Sequence, residues 1–404
     1  MEENTIGIIP GDMSKMPGFK SVCMKLGAMM IIIFVSRGLE TVLLSAAVNL
    51  GMFDGMDSNM SYLLQTVVSF LFLYIIPIVC AAVLLKPSGM CAKVYRKPQF
   101  FGSAMGMFPA FYGLSLFVNL LTMLVSKLFE NTDLYKSFNT VNDLAPDNLF
   151  CAGVLLFQLV IIAPLFEEFW FRGIVLESLR PYGNGFAIFV SGILFGMTHA
   201  NFSQFFYATV LGICLGYIAV STNSIVTTTI MHAMFNGISG LLLLFITFDD
   251  VGDYLLAKER GMEGVQTPAV VCYLIFCFFV IMLMIIGVLM AIVKLRKIKR
   301  YKVPKMWDVP ASKRWGVFFT RATVIIALVL AADTFTCQFA ARGVLKLMNL
   351  VTGQYFHAPE PSPGFFVRYH QTNFLWLSKT YNFLKIESYV LTESKSHDTI
   401  KEKQ

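Results

Sequence analysis

The chain has 404 residues, of which 56% are hydrophobic and only 14% are charged, a balance that a water-soluble domain of this size cannot keep in solution. Several apolar runs reach the ~20 residues that a helix needs to cross a hydrocarbon core of about 30 Å, whereas membrane barrel strands would be shorter and alternating. The fold class is therefore all-α, a polytopic transmembrane helical bundle, and the formal net charge of +7, concentrated in one loop, reads as a topology signal beside anionic lipid and not as a nucleic-acid surface.

Apolar windows between charged breaks predict spans near 26–50, 61–85, 102–127, 149–166, 184–199, 203–221, 224–248, 267–293 and 316–341, about 8-9 transmembrane helices in all. Lys15, Lys20 and Lys25 precede the first run, which is too long for a signal-peptide core and predicts a retained helix. Arg37 and Glu40, three apart within it, are expected to pair with each other or to support a site. Lys86, Lys93, Arg96 and Lys97 follow the second span, and a dense basic stretch runs from Lys294 to Arg321. Intervening loops hold Asp54 and Asp57, Glu130 and Asp133, and Asp249, Asp250 and Asp253. The positive-inside rule then puts the N-terminus in the cytoplasm and, with an odd number of spans, the C-terminus outside. The eight cysteines are scattered without a CxxC pair and are expected as small core hydrophobes.

An ionisable side chain at mid-bilayer costs about 2.5–3.5 kcal/mol on insertion scales, so each one retained there needs a reason. The fourth span contains IIAPLFEEFWFRGIVLESL, in which Pro164 can bend the helix near Glu167, Glu168 and Arg172. Glu168 and Arg172 are four apart with the acid first, the favourable order for an ion pair. Glu167 lies about 100° further round the helix, so Arg172 need not occupy it, and one carboxylate stays free to bind a proton. The plain alternative is that these groups face water at the end of a span, since Glu177 and Arg180 follow.

The next motifs weigh against that alternative. GILFGMTHA places Phe195 and His199 four apart, and IMHAMFNG does the same for His232 and Asn236. The chain has five histidines, and the others, His357, His370 and His397, lie in the C-terminal tail. A lone intramembrane histidine is ordinarily an interhelical hydrogen-bond donor, but two beside a double glutamate suggest amide hydrolysis without a covalent nucleophile. A poorly solvated glutamate suits proton abstraction from water, a histidine can orient that water, and a histidine with an asparagine amide can donate to a developing oxyanion. Alternatively, Glu167, His199 and His232 would ligate a divalent metal such as zinc, whose bound water attacks.

The three elements EExxxR (Glu167, Glu168, Arg172), FxxxH (Phe195, His199) and HxxxN (His232, Asn236), in this order on separate helices, resemble those of the CPBP family, which includes the type II CAAX prenyl endopeptidases and bacterial Abi proteins. The resemblance implies a membrane-embedded endopeptidase in which Glu167 and His199 activate water while His232 and Asn236 stabilise the oxyanion. Glu168 and Arg172 complete the candidate catalytic set, Arg172 fixing the carboxylates; the resemblance leaves metal dependence open, and we favour the version that requires no cofactor over zinc on Glu167, His199 and His232. The implied partners are a membrane-associated peptide or protein substrate and the lipid bilayer, with no nucleic acid, in a bacterial cell membrane. The organisation expected is N-terminal transmembrane helices over 1–149, a CPBP/Abi-type core over 150–248, C-terminal helices over 249–349 with the basic loop 294–321, and a polar extramembrane tail over 350–404.

Rival readings are weaker. Gly237-Ile238-Ser239-Gly240 spells the GxSG of rhomboid-type serine proteases, but no later span holds a histidine to act as base, so helix packing is the expected role. A proton-coupled transporter would also bury Glu, His and Arg, yet no inverted repeat is evident. A non-catalytic scaffold or bacteriocin-immunity protein would not need the complete polar set. The remaining difficulty is geometric: simple end-to-end threading puts Glu167 near the inner face and His199 near the outer one. The helix bearing Glu167 is therefore predicted to run on toward about 180, with its successors tilted or shifted in depth.

Overall fold

The computed structural model describes residues 18–85, 95–128, 146, 148–199, 202–259, 261–295, 310 and 313–336. The tail 350–404, most of the basic stretch 294–321, Lys15, Lys86, Lys93, Glu130, Asp133, Cys91 and Cys337 lie outside the described residues. All regular structure among the described residues is helical. Helix α1 is Phe19–Asn49. Helix α2 runs from Ser58–Phe70 through a π-helical turn at Leu71–Ile75 into Ile76–Leu85. A short turn at Phe101–Met105 leads into α3, Phe108–Lys127. Helix α4 spans Leu149–Tyr182 and is followed by α5 (Asn184–Met197), α6 (Phe202–Thr222), α7 (Val226–Ile246), α8 (Asp249–Glu259) and α9 (Pro268–Leu295). The short helix Arg314–Phe319 precedes α10, Ala322–Thr336.

Seven of these helices are long and apolar enough to cross a membrane, and Asn184–Met197 and Ala322–Ala331 are shorter apolar helices. The protein is thus an integral membrane protein, and the nine predicted runs correspond to these nine helices. Two boundaries differ. The fourth span continues well beyond 166, as the site requires, because FWFRGIVLESL is still mostly apolar and contains no helix breaker before Pro181. The acidic segment expected as loop folds instead as α8, which places Asp249 and Asp250 in its first turn and Lys258 in its last, the charge order that complements a helix dipole. Of the described cysteines, Cys272 faces outward and the others are buried or half-buried.

Small residues set the closest contacts, as expected where lipid removes the hydrophobic drive for helix association. A Cβ added to Gly212 of α6 would come within 2.9 Å of Gly192 Cα, and one on Gly196 would meet Phe205 O at 2.7 Å. At α3 against α9, a Cβ on Gly113 would lie 2.7 Å from Gly287 Cα. The chain turns from α4 to α5 at Gly183, whose φ of +134° suits a residue without a side chain.

Charge is polarised along the bundle. Phe19 of α1 packs on Tyr182 with ring centroids 4.6 Å apart, and Phe186 of α5 packs on Trp315 at 4.9 Å. Asn223 at the end of α6 accepts from Arg180, and Ser224 donates to the Arg96 carbonyl. Lys20, Lys25, Arg96, Lys97, Arg180, Lys313, Arg314 and Arg321 therefore gather toward one end. Asp54 and Asp57 lie beyond the far end of α1, and Asp249, Asp250 and Asp253 beyond that of α7.

Candidate active site

Two prolines shape the helices that hold the buried polar groups. In α4 the Ala163 amide donates to the Gln158 carbonyl five residues back, and the next amide in that register would be that of Pro164, which has none. The carbonyl left without a helical donor is that of Leu159, and Asn236 Nδ2 of α7 donates to it at 2.8 Å. Helix α2 repeats the device: the Ile76 amide donates to Leu71, Pro77 offers nothing to Phe72, and the Ser36 hydroxyl of α1 donates to the Phe72 carbonyl. Such π-helical turns shift the register of the side chains that follow and recur at functional sites. The bend expected at Pro164 takes this form.

The depth problem is resolved by the length of α4. Glu167 and His199 are each sixteen residues from Gly183, so the antiparallel return of α5 carries its C-terminal end back toward the level of the glutamates. The contact is direct: the Arg172 guanidinium lies over the Phe195 ring, 4.6 Å from its centroid, in cation–π geometry. The Phe195 ring in turn meets His199 and His232 edge-on, at 4.9 and 5.6 Å.

Glu168 and Arg172 are both completely buried and form the i,i+4 pair, with Nη1 2.7 Å from Oε1. Arg172 Nη2 also donates to the Gly212 carbonyl at 3.0 Å, an approach permitted by the glycine contact between α5 and α6. His232 places Nδ1 2.9 Å from the same Glu168 Oε1. An ionised carboxylate only accepts, so Nδ1 carries a proton and Nε2 faces the other way. Nε2 is 3.8 Å from Glu167 Oε2, and His232 thus stands between the two glutamates.

Glu167 is the more open acid, with its side chain 20% exposed against 0% for Glu168. Its Oε1 accepts from the Tyr74 hydroxyl at 3.3 Å. His199, just beyond α5, folds its ring back so that Nδ1 donates to the Phe195 carbonyl at 3.0 Å, again leaving Nε2 as the outward nitrogen. Arg37 of α1 donates to the Thr198 carbonyl beside it, while Glu40 is buried next to Ser69 and Arg37.

All six residues singled out in the sequence are thus in or beside one cluster. Glu167, Glu168, Arg172 and His232 are joined by contacts, His199 is linked through Phe195, and Asn236 is tied to the backbone of α4 by one of its two amide hydrogens. Tyr74 escapes sequence reasoning, because a tyrosine in LFLYIIP looks like any other apolar-run aromatic; Pro77 three residues later is the one local hint of a distorted helix there. Ser239 of the GxSG stretch donates to the Phe235 carbonyl, a backbone role on its own helix. Donation from Nδ1 to a carboxylate or a carbonyl is also how metal-binding histidines are commonly oriented. Among the described residues, however, no group of three or more His, Cys, Asp or Glu side chains converges closely enough to hold a metal ion.

Fold and site together define a polytopic helical membrane protein with a buried Glu–Arg–His cluster at its centre. Residues 150–238 match the family model for type II CAAX prenyl endopeptidases, described as Rce1-like. That segment contains every one of the six residues, and over it the chain is similar to the CPBP/CAAX protease family. Comparison with curated proteins and with solved structures yields no match.

Proposed function

We propose that this protein hydrolyses a peptide bond in a membrane-associated protein or peptide, with Glu167 as the base that activates water. The observation carrying this reading is His232, whose Nδ1 is anchored on the arginine-paired Glu168 at 2.9 Å while Nε2 lies 3.8 Å from Glu167. One acid is thereby held as a fixed anion and the other is left able to exchange a proton.

In the proposed sequence, water is held between Glu167 Oε2 and His199 Nε2 and gives its proton to Glu167 as its oxygen attacks the scissile carbonyl. The oxyanion takes hydrogen bonds from the second amide hydrogen of Asn236 and from Nε2–H of His232, which acts as an imidazolium throughout and neither gains nor loses a proton in the cycle. Glu168 stabilises that imidazolium through Nδ1, and such donors are usually the largest electrostatic contribution in acyl transfer. Glu167 then passes its proton to the leaving amine. No step is assigned to a metal ion. The basic end of the bundle is assigned to the cytoplasm, with the N-terminus on that side.

The test is hydrolysis of a fluorogenic isoprenylated peptide by the purified protein in detergent, comparing wild type with Glu167→Gln, His199→Ala and His232→Ala. The Glu167→Gln rate is expected to fall by about 10²–10⁴, the range of a lost general base. Equal rates in all four preparations would refute the assignment. A chelator is expected to leave the wild-type rate unchanged, and a loss restored by added zinc would instead support the metallo version.

A further inference from the structure

Outside the matched segment, among the described residues, the Tyr74 side chain touches the proposed base. We infer that Tyr74 is a positioning residue for Glu167, fixing Oε1 so that Oε2 is the oxygen turned to water and to His232. This deepens the proposed function and rests on it.

The geometry is specific. The Tyr74 hydroxyl reaches Glu167 Oε1 at 3.3 Å, while Oε2 is the oxygen nearest His232, so the two carboxylate oxygens have different neighbours. At 3.3 Å the bond is long for O–H···O, as catalytic hydrogen bonds often are before substrate tightens them. Tyr74 is 5% exposed, and its ring packs on Phe166 with centroids 5.2 Å apart, the residue just before Glu167. Its direction is set from outside the core, because it lies in the π-helical turn created by Pro77 and completed by Ser36. The charged and titratable groups that act on Glu167 are Glu168 and Arg172 on α4 and His232 on α7, with His199 across the proposed water. Arg37 and Glu40 of α1 lie close to Tyr74. Of all these neighbours, only Tyr74 presents Glu167 with a neutral hydroxyl donor, which can hold it in either protonation state.

The experiment uses the full chain in detergent and two readouts. With the isoprenylated peptide, Tyr74→Phe keeps the ring packing and is expected to lower kcat about tenfold, the weight of one hydrogen bond in a dry site, with KM unchanged. Ser36→Ala is expected to give a smaller loss in the same direction. Independently of any substrate, thermal melts of Tyr74→Phe, Glu167→Leu and the double variant form a cycle. Tyr74→Phe is expected to lower Tm in wild type and to leave it unchanged in Glu167→Leu. An unchanged kcat in Tyr74→Phe, a parallel shift of kcat and KM, or additive Tm changes would each overturn the inference. If Glu167→Gln hydrolyses as fast as wild type, it is the functional reading that fails, and the melts still decide whether Tyr74 holds Glu167.

Discussion

Helices α6 and α9 show how differently the centre and the rim of this bundle are built. Helix α9 is the more apolar, yet only 22% of its spanning window is buried, against 61% for α6. A helix that faces lipid over most of its surface must be apolar there, so in this pair the more apolar helix is the one at the rim and not in the core. Both helices make a close glycine contact, α9 at Gly287 and α6 at Gly212, but only at the centre is that contact joined by buried polar bonds, the Arg172 bond to Gly212 and the shared Glu168. Substitutions should therefore act strongly at the centre and weakly at the rim.

The largest effect on folding is expected at the buried pair. Arg172→Leu leaves the buried Glu168 without its counter-charge, and loss of one partner from such a pair costs about 3–5 kcal/mol. Melting in detergent checks this, and pairing the change with Glu168→Gln should restore part of the loss. Next comes the glycine seam: Gly212→Ala puts a methyl 2.9 Å from Gly192 Cα and should cost about 1–3 kcal/mol, the usual penalty of overpacking. It should also disturb the Arg172–Gly212 bond and thus hydrolysis. Asn236→Ala strands the Leu159 carbonyl, with an expected loss of about 1–3 kcal/mol. Asn236→Asp still packs but donates neither bond, so comparing the two in melts and hydrolysis separates the loss of packing from the loss of hydrogen bonding. The smallest effect belongs to the rim. Leu289 of α9 is 59% exposed, and Leu289→Ala should stay within about 0.5 kcal/mol. A loss at Leu289 as large as that at Gly212 would break the contrast between the two regions.

Part of the site is legible in the sequence alone. Glu168 and Arg172 can be paired because a helix puts i and i+4 on one face whatever surrounds it. The continuation of α4 past Glu167 follows from requiring that Glu167 and His199 meet. Arg37 is harder: it lies beside Glu40, as their spacing suggests, but nothing local announces its bond to Thr198, which joins α1 to the end of α5. Asn236 reads in sequence only as an oxyanion donor, since nothing in HxxxN announces that a carbonyl on another helix lacks a partner.

The sequence by itself determined the solvent and the helical class of the fold. A chain this apolar must lie in lipid, must form helices to satisfy its backbone there, and keeps ionisable groups only where they interact. What tertiary structure alone decided is which groups those are. The Tyr74–Glu167 contact, the two proline-freed carbonyls met by Ser36 and Asn236, and the placement of His232 between two glutamates all join residues far apart in the chain. Such contacts depend on how far each helix runs and how it is rotated, and the π-helical turns that set the rotation have partners on other helices.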